Sequence, residues 1–467
     1  METLARAANR GSISTGYDIE NSYKNESDNT ERMYRAWGGI TANTKTWTVS
    51  LWVKRTELGS LQYIWGAGTG GADFLGVGFL ADDTLRFRQY VSADHCVYVT
   101  NRKFRDTSAW YHIVAAVDTT NGTAGDRLRI YINGVEETSF STETNYSADR
   151  ATPQNANSGY MEIGAMIGSA DRFNGYIAEV NSITGTQYAP TAFGEFDAAS
   201  GIWIPIQFAG SYAENSVFLE FKDSSSLGTD TSGNGQTFTL QNLSADDQAT
   251  DTPTNNFTIF NPLNPTYGTS VISEGGTKLK GSGQNTFDNI QTTIGVTKGK
   301  WYCELEPEAD TAAQNTAWGV VNLDTAVYAG DHYAVAGFWS TGFDDGRLAW
   351  HFYNGSGAGT ETVNYGTGAG DTAGTIAMAL DLDNGTLKFY IRNTQLSISA
   401  SSLPAGTYAF YGDVMGTNAP YLRFNFGGYT TNTISSAATD ANGYGTFEYA
   451  PPSGYYALCT KNLAEFG

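Results

Sequence analysis

The stretch Trp47-Thr-Val-Ser-Leu-Trp-Val53 decides the fold class. Trp47, Val49, Leu51 and Val53 occupy alternate positions, so they share one face of an extended chain, the period-two pattern of a β-strand on a core. The other face still carries Trp52, which predicts cover on both sides. Downstream, Phe74 to Leu80 and Leu85 to Tyr90 flank the polar loop Ala81-Asp82-Asp83-Thr84, of hairpin length. Trp110 to Val117 and Arg127 to Ile132 form a second strand pair, and Asn133-Gly134 supplies the positive φ angles of a tight turn. Met161 to Gly164 and Phe173 to Val180 continue the series without a segment of helical period.

A second β-series follows a turn-rich interval. Asp223-Ser-Ser-Ser-Leu-Gly, Asp230-Thr-Ser-Gly-Asn-Gly and Asp251-Thr-Pro-Thr-Asn-Asn crowd turn formers together with few apolar anchors. Then Ile376, Met378, Leu380 and Leu382 define one strand face, and Leu387, Phe389 and Ile391 mirror it beyond the turn Asp383-Asn384-Gly385. The pattern predicts an all-β protein: two consecutive antiparallel β-sandwich (jelly-roll) domains joined by an ordered, turn-rich connector. The expected divisions are an N-terminal arm at 1–40, a sandwich at 41–222, a connector at 223–275, a sandwich at 276–430 and an extended tail at 431–467.

Among the 467 residues, 27 Lys and Arg face 48 Asp and Glu, a formal net charge of -21. Such an excess opposes a phosphate backbone, so nucleic acid is not an expected partner. No apolar run reaches the length of a signal peptide or a membrane span, so membrane insertion is not expected. Cys96, Cys303 and Cys459 are odd in number and far apart; they read as buried thiols of a chain made in a reducing cytoplasm.

The first series resembles a laminin G-like, concanavalin A-type jelly roll through Thr48-Val-Ser-Leu-Trp-Val-Lys54, Trp110-Tyr-His-Ile-Val-Ala-Ala-Val-Asp118, Arg129-Ile-Tyr-Ile-Asn-Gly134 and Phe173-Asn-Gly-Tyr-Ile-Ala-Glu-Val180. The second resembles a SPRY domain through Gly299-Lys-Trp-Tyr-Cys-Glu304, Ala379-Leu-Asp-Leu-Asp-Asn-Gly385 and Leu422-Arg-Phe-Asn-Phe-Gly427. The combination resembles structural, tail-fibre-like proteins of tailed bacteriophages, in Tyr17-Asp-Ile-Glu-Asn-Ser22, in the central turn-rich string from Leu219 to Gly235 and in Tyr449-Ala-Pro-Pro-Ser-Gly-Tyr455. That resemblance implies a virion-surface protein made in the host bacterial cytoplasm, attached through its N-terminal arm or another sandwich face to other virion proteins, forming a homo-oligomer and binding host cell-surface carbohydrate. Capsid decoration or tail cementing without a glycan ligand is the alternative, and a polysaccharide depolymerase the third.

Catalytic chemistry finds little support in the spacing. Glu304-Leu-Glu306-Pro-Glu308 places alternate carboxylates on one side of a strand, a side expected to be solvated, and the Glu-x-Asp-x-x-Glu spacing of glucanases is absent. His95, His112, His332 and His351 are scattered, and no nucleophile elbow accompanies them. No cofactor is required. The laminin G-like resemblance implies calcium at a loop rim, with Asp73, Asp82, Asp83 and Asp118 as candidate ligands; ordinary turn chemistry explains the same four. For sugar binding, aromatic rings beside polar loop groups are needed. Tyr328, His332 and Tyr333 with Asp344, Asp345, Arg347 and Trp350 have that make-up in the SPRY-like half, although Trp350 also suits a core face shared with Phe352.

Overall fold

The computed structural model describes residues 16–37, 43–156, 158–167, 171–263, 271–281, 290–308, 315–324, 336–341, 348–353, 358–365, 374–415 and 421–467. Almost every element is a β-strand, and the chain divides into two compact units, one spanning Ile13–Thr254 and the other containing Asn255–Gly467.

The first unit is a sandwich of two eight-stranded sheets. One runs Val135–Glu136, Leu128–Ile132, Tyr111–Asp118, Thr46–Arg55, Gly175–Thr184, Ser22–Asn25 and Gln248–Ala249, with Val217–Leu219 also on Gly175–Thr184. The other runs Phe140–Thr144, Asp94–Lys103, Thr84–Val91, Asp73–Phe79, Gln62–Gly70, Tyr160–Ile163, Arg32–Ala36 and Thr239–Gln241. Trp47, Val49, Leu51 and Val53 point between the sheets and pack with Trp65, Leu75, Phe87 and Ile177. At the expected Asn133-Gly134 turn both φ angles are positive, 48° and 79°, the backbone a two-residue hairpin of this twist demands. Glycine is also sterically required there, because a Cβ would lie 2.2 Å from the Trp203 ring.

The expected cover over Trp52 is real. Ser50, Trp52 and Lys54 on the outward face of Thr46–Arg55 are all buried. Residues 188–212 lay Tyr188, Phe193, Phe208 and Tyr212 over Val114, Ala116, Tyr131 and Ile183 of the same sheet. The first sheet is thus covered on both faces.

Several boundaries differ from the sequence expectation. Residues 22–25 and 32–36, read as part of an arm, are strands paired into both sheets of the first sandwich. The connector is likewise built in: Thr239–Gln241 pairs with Arg32–Ala36, and Gln248–Ala249 with Ser22–Asn25. The physical reason is that these strands bury charge. Lys24 lies 3.0 Å from both Glu31 and Asp247, with its side chain 1% exposed, and Lys54 lies 2.6 Å from Asp251. A reading that equates burial with apolar residues passes over such strands.

The second unit pairs an eight-stranded sheet, with Lys300–Glu308 between Tyr421–Asn425 and Ile376–Asp381, and a six-stranded sheet that includes Tyr408–Met415 and Asn315–Asn322. Trp301, Cys303, Leu305, Met378, Leu380, Leu387 and Phe389 fill its core, so the facing strands around Asp383-Asn384-Gly385 share an apolar face as expected. The C-terminal residues are not a simple extended tail. Tyr456–Ala457 runs parallel to Lys300–Glu308, and Thr460–Phe466 is a short helix that buries Leu463. Phe447, Tyr455, Ala457 and Cys459 pack on Tyr302, Ala377 and Ala379, covering the outer face of that sheet.

Candidate carbohydrate-binding face

With one sheet of the first sandwich covered outside, the outer face of its partner sheet carries a group of rings and charges. Strand register places two cross-strand rows there. One passes from Tyr34 through Glu162, Gly66 and Gly76 to Arg88. The next passes from Tyr160 through Gly68 and Phe74 to Tyr90 and Asp94. Glycines at the middle of each row leave room for neighbouring side chains to lie flat on the sheet. A Cβ on Gly76 would come 2.8 Å from the Tyr63 ring and 3.0 Å from the Met166 sulfur. Tyr63, Phe74 and Met166 form the floor of this face, with Leu61 and Tyr90 half-buried against them.

Guanidinium groups sit on the rings. Arg88 lies 5.0 Å from the Tyr90 ring centre and 5.5 Å from that of Phe74, which stack on each other at 5.7 Å, and Asp94 holds its Nε at 2.6 Å. Arg86 donates to Tyr63 Oη at 2.5 Å. At the other end, Arg32 stands 4.9 Å over Tyr34, donates to Gln241 at 2.9 Å and pairs with Glu162 at 2.5 Å. Tyr34 meets Tyr160 edge-on at 5.9 Å, and Tyr160 is 39% exposed. Burial raises the Glu162 carboxyl above its usual range, against the pull of Arg32 and Arg172, and Glu162 Oε2 has no hydrogen-bond partner. Rings, fixed donors and a carboxylate acceptor on a rigid sheet are the elements of sugar recognition.

The candidates read from sequence fare unevenly. Tyr328, His332, Tyr333, Asp344, Asp345 and Arg347 lie outside the described residues. Trp350 is described by its backbone alone, in the strand Leu348–Tyr353 opposite Ser340. The four aspartates named for calcium are not brought together. Asp73 begins the strand Asp73–Phe79, the Asp82–Asp83 turn lies past its other end, and Asp118 ends a strand of the other sheet. Asp83 is buried between Arg55 at 3.1 Å and Arg105 at 2.9 Å; Asp82 accepts from the Thr84 hydroxyl at 2.6 Å and Asp118 from that of Thr120 at 2.6 Å. Among the described residues no group of three or more His, Cys, Asp or Glu is arranged to hold a metal ion.

The carboxylate run expected to be solvated is buried at its first member. Glu304 is fully inaccessible, and its oxygens accept from Glu448 N at 2.8 Å, Tyr449 N at 2.9 Å, Tyr302 Oη at 3.1 Å and Asn425 Nδ2 at 3.2 Å. Glu306 accepts from Thr375 Oγ1 at 3.2 Å and lies 3.8 Å from Arg423. Glu304 therefore anchors the residues after Thr446 to the sheet and offers substrate no free lone pair.

His112 makes a second arrangement that superficially suggests chemistry. Its Nε2 lies 2.8 Å from Ser50 Oγ, and Trp203 Nε1 donates to its Nδ1 at 3.0 Å. An indole nitrogen can only donate, so Nδ1 carries no proton and Nε2–H donates to Ser50. That is the opposite of the tautomer a general base needs to activate a serine. Trp52 stacks on the imidazole at 4.6 Å, and burial depresses its pKa to about 3. The sign follows: the unfolded imidazole, near 6.5, binds a proton that the folded one refuses, so this residue's stabilisation is full above about pH 6.5 and falls by about 1.4 kcal/mol per unit as pH drops toward the folded value. Glu31 and Glu179, pushed up by burial to about 7 and about 8, act in the opposite sense in the same unit. The His112 component is therefore read as a difference. Urea unfolding of wild type and His112→Gln at pH 7 and pH 5 should show wild type losing about 2 kcal/mol more than the variant over that interval.

Residues 30–185 match the family model described as the concanavalin A-like lectin/glucanases superfamily, Laminin_G_3. The matched residues lie within the first unit, which is thus similar to a concanavalin A-like domain, and the match begins within the segment that the sequence suggests is an arm. Among solved structures the chain is similar to the PSpry domain of TRIM65, at 15% identity over 36% of this chain and 88% of that one, with a TM-score of 0.26. It is also similar to the SPRY domain of human HERC1, at 16% identity over 35% and 96% of the two chains with a TM-score of 0.27, and to stonustoxin, at 17% over 36% and 27% with a TM-score of 0.24. No curated protein matches the chain.

Proposed function

We propose that this protein is a non-catalytic carbohydrate-binding component of a bacteriophage virion, of tail-fibre type, exposed on the particle and engaging glycans of the host cell surface. The observation that carries the binding role is the ring-and-guanidinium face built by Tyr34, Tyr63, Phe74, Arg88, Tyr90 and Tyr160 on a sheet of a concanavalin A-like domain. The virion setting rests on the resemblance of the sequence motifs from Tyr17 to Tyr455. The superfamily name covers lectins and glucanases alike. Favouring the first is the matched segment 30–185 itself, whose sequence has no Glu-x-Asp-x-x-Glu spacing to supply a glucanase's paired carboxylates.

Purified full-length protein should bind a subset of bacterial surface glycans on an array and release no reducing sugar from them. Tyr160→Ala and Arg88→Ala should each weaken that binding about tenfold, the scale of a lost stacked or charged contact, with the thermal midpoint shifted by no more than a few degrees. A complete absence of glycan binding by wild type would overturn the recognition role. Immunogold labelling over the capsid lattice instead of the tail would replace the tail-fibre assignment with decoration.

A further inference from the structure

The two strands that carry Phe74 and Tyr90 outward carry Asp73 and Gln89 on their other side, at the rim of the same sandwich. There a cavity of about 500 Å³ is lined by Asp73, Gln89, Val91 and the loop residues 147–153 and 156. We propose that this rim cavity binds one neutral hexose unit, as the end of a glycan whose remainder lies on the aromatic face. The choice of a sugar rests on the recognition role proposed above.

Volume and lining support this ligand class. The cavity falls within the roughly 300–1,000 Å³ of small-molecule sites. Its charges balance in number: Asp149 is held by Lys45 at 3.0 Å, and the lining carries one further carboxylate, Asp73, which accepts from Thr69 Oγ1 at 3.1 Å, and one guanidinium, Arg150, which favours a neutral polar guest over an ion. Gln89 is fully buried. Its Nε2 donates to Ala151 O at 3.3 Å in the loop, which leaves Oε1 without a partner. A buried carbonyl in that state is costly, and a ligand hydroxyl reaching it restores the missing bond. Arg150 Nε is a second buried atom without a partner, a donor suited to a sugar oxygen. Val91, Ala151, Pro153 and Ala156 complete the lining with small apolar surfaces that suit the C–H side of a pyranose.

The test uses the full-length chain and the methyl α-glycosides of glucose, galactose and mannose, read by saturation-transfer NMR. At least one should show saturation transfer with millimolar affinity. Asp73→Asn should weaken it about tenfold, and Ser147→Trp, which fills the cavity from an exposed loop position, should abolish it, both with an unchanged thermal midpoint. Absence of transfer from all three glycosides, or transfer unaltered in both variants, overturns the rim site. Array binding that persists in Asp73→Asn and Ser147→Trp but falls in Tyr160→Ala overturns it too, while leaving the recognition role standing. Hexoside binding by a protein that captures no array glycan supports the cavity and removes the wider recognition role.

Discussion

Replacing Asp251 by alanine should destabilise the first unit by about 3–5 kcal/mol, the cost of leaving a buried cation without its counter-charge. Asp251 lies 2.6 Å from Lys54, and both side chains are at most 1% exposed. Its other carboxylate oxygen accepts from Trp110 Nε1 at 3.0 Å, and its backbone carbonyl accepts from Ser22 Oγ at 2.6 Å. One residue therefore ties together the Thr46–Arg55 strand, Trp110 and the strand Ser22–Asn25. Burial already lowers the Lys54 pKa, opposed chiefly by the Asp251 charge. Removing that charge leaves the ammonium to lose its proton or draw water inward. Lys54→Met combined with Asp251→Leu should recover part of the loss, because an apolar pair of similar volume avoids the desolvation penalty. Urea unfolding monitored through tryptophan fluorescence measures both variants. A loss under 1 kcal/mol for Asp251→Ala would show that the pair is not the anchor described here.

The second large effect falls on Glu304. Glu304→Ala removes the acceptor of two part-buried backbone N–H groups and of a buried amide and phenol. At about 1–3 kcal/mol for each donor left unpaired, and allowing that Asn425 retains its bond to Thr446 O, a loss of about 3 kcal/mol or more is expected in the second unit. Burial pushes the Glu304 carboxyl up to about 7, against the hydrogen bonds that lower it. Since the folded value lies above that of an unfolded glutamate, near 4.3, its contribution is full below about pH 4 and is lost as pH rises through the folded value. Between pH 5 and pH 7 wild type should lose roughly 2 kcal/mol from this residue, a slope that Glu304→Gln removes. The same two variants bear on catalysis. If Glu304 were a catalytic acid, Glu304→Gln would abolish release of reducing sugar from a host polysaccharide that wild type degrades, at a pH where both remain folded.

The strands with apolar alternation are legible in the sequence. Trp47 to Val53 and Ile376 to Ile391 declare their core faces, and Asn133-Gly134 declares its turn, because side-chain period and backbone φ are local properties. The strands Ser22–Asn25, Arg32–Ala36, Thr239–Gln241 and Gln248–Ala249 are not. Lys24 and Arg35 are buried within them, Glu31 and Asp247 are buried immediately before two of them, and the Lys24–Asp247 pair joins residues far apart in the sequence. The ring-and-guanidinium face was half visible. Arg86-x-Arg88-x-Tyr90 alternates with Leu85, Phe87 and Gln89, so a polar and aromatic outer row was there to be read. Its glycine-paved neighbour Asp73–Phe79 gave no sign that Tyr63 and Met166 would lie across it.

By itself, then, the sequence determined an all-β chain of two sandwich modules and the concanavalin A-like character of the first, since both follow from alternation, turn residues and short motifs that each lie within one or two strands. Tertiary structure alone decided that the polar N-terminal segment belongs to the first sandwich, that Glu304 is an anchor, and that the calcium candidates stand apart. It also decided that rings from five strands meet on one face. All four depend on Coulomb pairs, hydrogen bonds and cross-strand register between residues distant in sequence, which no local pattern encodes.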